Sequence, residues 1–565
     1  DVYKRQGLYN ANGRLETRGS TTRVMVADAM VDGLPAITLS DSTVELSKPR
    51  TGYRRDLLVG LSIKAAGSVP QLLDIAARRP LNALRALDIK PQQASGTGSV
   101  VADARLRVGR YIEPANQLLN WDVEARIDDA SPGSPIEGRS FEGMTGSFSI
   151  KPGLVTGRFD ARMDQIPSTV DLAIPFGEER TGSRRIAVAL QMNDERVSQA
   201  VPALAGIING DFTLNAELSN GPTRLSADLT NSALQIPTVA WSKGKGVAAS
   251  LKLSMSDAGD AKSLDDIRLE GEGFSAVGSA VTDKAGLRSA DLSQLALNAG
   301  DSARLKARRT DAGYAIDVTG EKFDARAILQ DLKSTAGQDR TGKRARGSLD
   351  IVANVDRLGG FNGVALQNFA MNYASRNGRL TGLSISAIAG DGQIAGDLSK
   401  RNGQDAISLS SANVGALLAF SGLYAQMKSG GALLELSGTM DSGYAGRLQL
   451  RDFTIVDEPR LERIVGSTPV QGQSSLSQAL GQDLRTSQAY FDQASAQLSY
   501  ANGALRVTNG IVRGPVFGSS FEGQLYDRQS RIDITGSFMP AYGINRVFGA
   551  LPLVGQILGL SLIHI

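Results

Sequence analysis

Apolar and polar residues alternate one by one along much of this chain. In Arg185–Met192 the apolar positions are Ile186, Val188, Leu190 and Met192, and in Asp211–Leu218 they are Phe212, Leu214, Ala216 and Leu218. Alternation resumes at Leu225, Ala227 and Leu229, after Ser219–Pro222, whose Asn-Gly pair supplies the positive φ of a tight turn. The same grammar returns at Ala249, Leu251, Leu253 and Met255, at Tyr314, Ile316 and Val318, at Leu448 and Leu450, and at Ile532 and Ile534 between Arg531, Asp533 and Thr535. A period of two marks strands that bury one face.

Helical patterns are few and short. Ser68–Leu87 has Ser68 near its start and Pro70 in its first turn, and Pro80 is expected to break or kink it. Asp324–Lys333 and Asn413–Lys428 read as further helices, with a fourth within Ser474–Leu484. The apolar stripe Leu417, Leu418, Phe420, Leu423 and Met427 is expected to cap a core. Loops are expected at Asp128–Arg139 and at 334–347. The second contains the basic run Arg340–Arg346 and reads as a solvated, charged linker between 21–333 and 348–559. The strand–turn grammar repeats, but no period of fixed length does.

Composition narrows the chemistry. The 565 residues are 41% hydrophobic, too aliphatic for disorder and long enough for several units, and the 63 glycines with only 5% aromatics suit many turns between strands. With 61 basic against 58 acidic residues there is no dominant basic surface of the kind nucleic acid requires. Cysteine is absent, which excludes disulfides, thiolate chemistry and Cys-ligated metals. The single histidine is His564, the penultimate residue, so the body of the chain holds no Ser-His-Asp triad and no histidine metal site. Asp265 and Asp266 are adjacent, which on a regular strand sends them to opposite faces. Gly514, Pro515 and Gly518 lack a following GK[ST] and read as a turn or bulge; Trp241 reads as a packing residue. No catalytic group, metal or cofactor is expected.

A one-faced sheet must be covered, and a sandwich, a closed barrel and an open trough compete. Pattern alone ranks tandem sandwiches first. The C-terminal third changes that ranking, because its phrases and their order resemble the AsmA-like C-terminal region of bacterial envelope proteins. They are Ala412–Gly431 (ANVGALLAFSGLYAQMKSGG), Leu434–Gly438 (LELSG), Gly446–Asp452 (GRLQLRD), Asp457–Leu461 (DEPRL), Asn509–Gly523 (NGIVRGPVFGSSFEG) and Ile532–Pro540 (IDITGSFMP). Ser68–Leu73 (SVPQLL), Leu234–Trp241 (LQIPTVAW) and Leu269–Val277 (LEGEGFSAV) are similar to the central region of the YhdP branch of that family, so the resemblance covers most of the chain.

The resemblance implies a mainly β fold: a long, twisted antiparallel sheet forming an elongated apolar groove, with a few short helices. It implies a periplasmic protein anchored in the inner membrane, and non-enzymatic movement of phospholipid between inner and outer membranes, with other envelope proteins as further partners. The groove-lining candidates are Ile186, Val188, Leu190, Phe212, Leu214, Leu218, Leu225, Leu251, Leu253, Leu448, Leu450, Ile532 and Ile534. The alternatives are an assembly factor for outer-membrane proteins, receiving client strands at sheet edges, and a carbohydrate enzyme or adhesin, against which the low aromatic content argues. The first six residues, DVYKRQ, and the last six, LSLIHI, resemble translated sequencing-adapter ends, so a fragment is expected. The uncharged stretch Val547–Ile563 is interrupted by Gly549, Pro552, Gly555 and Gly559 and falls short of a membrane span.

Overall fold

The computed structural model describes residues 7–540, apart from 49–55, 78–89, 110–117, 137, 177–182, 201–203, 205, 219–220, 237–238, 336–346, 378, 402, 440–441, 460–486, 502–503, 516 and 527–532. Among the described residues the chain is mainly β, with thirty-two strands and four short α-helices. It divides into two compact units, Asp1–Ala233 with Ala248–Ala258, and Leu234–Val247 with Gly259–Ile565.

In unit 1 thirteen strands, from Leu8–Arg18 to Ala249–Ala258, form an antiparallel meander. Helix α1 (Val69–Ala77) follows strand Leu57–Ser68, and α2 (Asp194–Ala200) follows strand Arg185–Met192. Both strands run the same way, so both helices emerge at one edge of the sheet. Glycines let this sheet pack closely. Phe148 lies opposite Gly157, where a Cβ would sit 2.5 Å from its ring, so the ring covers the glycine backbone.

In unit 2 sixteen strands, from Ala261–Gly271 to Asp533–Pro540, continue this design with one exception. Gly313–Asp324 pairs in parallel with Ser348–Gly359, and α3 (Arg326–Thr335) begins the crossover between them that a parallel pair requires. Strand Gln404–Ser411 leads into α4 (Val414–Ser421). Helices α3 and α4 again share one edge, where Leu329, Leu417 and Phe420 pack with Leu358, Leu366 and Ala389. The expected linker at 334–347 falls within unit 2, its residues 336–346 lie outside the described residues, and the strands on either side of it pair with each other.

Several element boundaries differ from expectation for local reasons. Helix α4 is shorter than Asn413–Lys428: the Asn413 side chain caps it by accepting from the Ala416 N–H at 3.0 Å, and Gly422 in the left-handed region (φ 67°) stops it. Met427 and Lys428 then open the next strand. Strand Leu118–Ser131 runs through the first residues of the expected Asp128–Arg139 loop. Asp265 and Asp266 do not oppose each other across a regular strand: a bulge between Leu264 and Ile267, with Asp266 at φ 53°, leaves both carboxylates exposed. Helix α2, DERVSQA, is too polar and too short to show an apolar stripe. The Ser474–Leu484 helix, the Arg340–Arg346 run, Ser219, Asn220 and the Val547–Ile563 stretch lie outside the described residues.

Candidate functional site

Residues directly opposite one another in a ladder share a face, so the registers show what each face carries from strand to strand. In unit 1 one transverse row reads Ile37, Gly67, Gly98, Ile127, Gly146, Phe159, Val170, Val188, Ala216, Leu225, Leu253. Eleven consecutive strands contribute no polar side chain to it. A parallel row reads Leu39, Ala65, Val100, Ala125, Phe148, Gly157, Leu172, Ile186, Leu218. The opposite face carries Arg126, Ser147, Arg158, Asp171, Ala187, Glu217 and Arg224 in one row.

Unit 2 carries a longer row. Leu264, Ala280, Ala290, Ala307, Ile316, Ile351, Tyr373, Leu383, Leu398, Ile407, Leu436, Gly446, Leu498, Val507, Gly523 and Ile534 follow one another in register across all sixteen strands. Its only polar atom is the Tyr373 hydroxyl. The neighbouring row is Ile267, Gly278, Leu292, Leu305, Val318, Ala353, Met371, Ile385, Gly396, Leu409, Leu434, Leu448, Ala496. On the other face the row Asp291, Lys306, Asp317, Val352, Asn372, Ser384, Asp397, Ser408, Glu435, Arg447 has Val352 as its one apolar member. The parallel strand pair leaves the apolar row unbroken, since Ile316 and Ile351 still meet.

The apolar face is covered unequally. At the helix edge of unit 2 it is a closed core. Leu358, Leu366, Ala389 and Phe420 are buried there, and Phe453 stacks on Phe491 at 5.2 Å between ring centroids. Across the middle, Ile316, Ile351, Leu383, Ile407, Leu436 and Leu498 are only half-buried. Two short strands outside the large sheet, Ala233–Ile236 and Trp241–Lys243, pair with each other, and the second lays Trp241 on Phe274, in the same strand as Ala280. In unit 1, α1 supplies Val69 and Leu73 to the core, and its Leu72 reaches within 3.3 Å of where a Cβ on Gly98 would stand.

The hairpin edge of unit 2 is mixed, with polar groups set among Leu349 and Leu505. Arg309 and Asp283 form an ion pair there, with Arg309 Nη1 donating to Asp283 Oδ1 at 2.9 Å, and the Tyr314 hydroxyl donates to the Leu287 carbonyl at 3.0 Å. The Tyr444 hydroxyl donates to Asp405 Oδ2 at 3.1 Å. Burial, reinforced by that carboxylate, raises the Tyr444 phenol above its ordinary value. Hydrogen bonds from Arg309 hold Asp283 below the usual carboxylate range, against the effect of burial.

The sequence candidates fall on these rows. Val188, Leu225 and Leu253 share the first row of unit 1, Ile186 and Leu218 the second, and Leu190, Leu214 and Leu251 a third; Phe212 lies opposite Met192 on the same face. In unit 2 Leu448 sits in the row beside the longest one, Leu450 one position further along its strand opposite Ala432 and Ala494, and Ile534 ends the sixteen-strand row. Ile532 lies outside the described residues. Ile37, Ile127, Phe159 and Val170 were not singled out from sequence, because glycines hold the same-face positions in the strands between them and thin the apolar signal. Trp241 packs inside unit 2: its ring meets Phe274 edge-on at 5.0 Å and its N–H donates to the Leu297 carbonyl at 2.6 Å.

No protein-family model, curated protein or solved structure matches this chain. Among the described residues no group of His, Asp or Glu side chains is placed to hold a metal, and no helix is long and apolar enough to cross a membrane. In the first row of unit 1 Ile37, Phe159, Val170, Val188 and Ala216 are buried, and in the long row of unit 2 Leu398 and Val507 are, so the surface offered to a ligand is the half-buried stretch of the unit 2 row.

Proposed function

We propose that this chain is a non-enzymatic conduit for phospholipid between the inner and outer membranes of a bacterial envelope, serving outer-membrane lipid homeostasis. The resemblance to AsmA-like proteins of the YhdP type supports the periplasmic setting and the inner-membrane attachment. The observation that carries the reading is the sixteen-strand row of unit 2, apolar from Leu264 to Ile534 and half-buried along most of its middle, with Leu398 buried between half-buried Leu383 and Ile407.

The physics of transport follows from that continuity. An acyl chain on the row buries apolar area worth about 25 cal/mol per Å². Shifting it by one strand, about 4.8 Å, exchanges one set of aliphatic contacts for an equivalent set. No step along the row then meets a large barrier, and none requires a chemical group. Sixteen strands extend such a path over roughly 70 Å of sheet. A charge placed in the path would have to be desolvated by each passing chain, at a cost of several kcal/mol.

Lipid mass spectrometry on the chain purified from cells tests the reading. Phospholipid is expected to co-purify, and Val188→Asp, Leu214→Asp and Leu251→Asp together are expected to remove it from unit 1 while β-rich circular dichroism is retained. A well-folded wild-type sample with no phospholipid above a control protein would overturn the conduit and favour the assembly-factor reading.

A further inference from the structure

The long apolar row of unit 2 holds one polar atom, the Tyr373 hydroxyl, and the same strand sets a second hydroxyl beside the row. Ser375 follows two residues later in strand Ala365–Arg376, about 7 Å away at strand rise. Tyr373 lies opposite Ile351 and Leu383, and Ser375 opposite Leu349 and Leu380, so both hydroxyls share the apolar face and both have aliphatic neighbours on either side. Those four neighbours are half-buried, as is Tyr373, which puts the pair on the open stretch of the face and outside the closed cores.

Neither hydroxyl has a hydrogen-bond partner among the described residues, and neither oxygen is sealed beneath the surface. The other half-buried tyrosines there are anchored. Tyr314 donates to the Leu287 carbonyl at 3.0 Å, Tyr424 to Glu458 at 2.6 Å and Tyr444 to Asp405 at 3.1 Å. Ser375 is only 5% exposed, yet the contact it makes beyond the ladder is through its carbonyl, which accepts from Arg376 Nη1 at 2.8 Å. A hydroxyl on an open face is satisfied by water. An occupant covering the face displaces that water, and a wholly aliphatic one would leave two donors unsatisfied. The occupant that fits is apolar and brings two acceptors.

We propose that Tyr373 and Ser375 form a station for the ester linkages of a diacyl lipid, each hydroxyl donating to one ester carbonyl, with the acyl chains lying along the row over Ile351 on one side and Leu383 on the other. This rests on the conduit reading and adds a substrate class to it, a glycerolipid with two ester-linked chains. Esters on adjacent glycerol carbons supply two neutral acceptors for two neutral donors. Ser375 is the last residue but one of its strand, so the headgroup leaves the face over the hairpin edge into water.

The test loads the full chain from vesicles holding equal amounts of a diester phosphatidylglycerol and its diether analogue, matched in headgroup and chain length. Mass spectrometry then quantifies the bound lipid. The wild type is expected to enrich the diester roughly tenfold, the scale of two neutral hydrogen bonds. The double variant Tyr373→Phe, Ser375→Ala is expected to bring the ratio to about one with total bound lipid and thermal unfolding unchanged, since a hydroxyl without a protein partner holds no part of the fold together. Tyr500→Phe, at an exposed tyrosine outside the row, is expected to leave the ratio as in the wild type. Equal loading of the two lipids by the wild type, or a preference that survives the double variant, would overturn the station and leave the conduit standing. A wild type that takes up neither lipid would overturn the conduit itself.

Discussion

Asp283 and Arg309 show how a single ion pair is placed where the apolar face ends. Arg309 occupies the position next outward from Ala307 on the same face, and an unpaired guanidinium there would meet aliphatic neighbours. Its partner is Asp283, whose Oδ1 also accepts from the Ala285 N–H at 2.8 Å. The Arg309 hydrogen bonds, then the Ala285 N–H and the Arg309 and Arg288 charges, hold the Asp283 carboxyl below its ordinary value against desolvation. A folded value below the unfolded one means that the pair stabilises the native state at every pH above the unfolded pKa, near 4. That contribution fades as pH falls through the folded value. Arg309→Met is therefore expected to lower the urea midpoint at pH 7, and the difference from wild type is expected to shrink at pH 3. A difference that stays constant over that range would show that Arg309 acts through packing alone.

At the scale of elements, α4 shows what decides where strand gives way to helix. Its residues, VGALLAFS, are apolar all round, so periodicity cannot bound it. The boundaries come from Asn413, which caps the Ala416 N–H, and from Gly422, whose φ of 67° ends the helix. Asn413→Ala is expected to cost about 1 kcal/mol, read from thermal or urea unfolding of the whole chain. Asn413 also donates to Asp391 at 2.8 Å, so Asn413→Asp, which keeps the cap but puts two carboxylates together, is expected to recover only part of the loss. The period-two strands were legible in the sequence for a related reason: Ile186, Val188 and Leu190 need no partner to reveal their face. Strands that spend same-face positions on glycine, such as Gly146 and Gly157, hide it, since the apolar surface there is the Phe159 or Phe148 ring of the neighbouring strand. The parallel pairing of Gly313–Asp324 with Ser348–Gly359 was not legible at all. An αβ connection looks the same in sequence whether the next strand docks parallel or antiparallel, and only the ladder decides.

At the scale of the molecule, the property that matters is continuity, and two adjacent residues separate it from simple stability. Ile351 stands mid-row in unit 2 between Ile316 and Tyr373, while Val352, the next residue, stands on the other face between Asp317 and Asn372 and is 39% exposed. Ile351→Asp puts a carboxylate into the apolar row with no cation opposite it, and is expected to cost about 1–3 kcal/mol. Val352→Lys replaces the one apolar member of a polar row with a cation opposite Asp317 and is expected to stay within about 0.5 kcal/mol of wild type. If the row is a lipid path, the first variant should also lose co-purifying phospholipid well before it loses its fold, because a desolvated carboxylate obstructs every chain that crosses it. The second should keep the full complement. Thermal denaturation and lipid mass spectrometry on the same two preparations separate the outcomes. Equal lipid in both variants would show that the molecule does not hold lipid along this row, whatever the row contributes to folding.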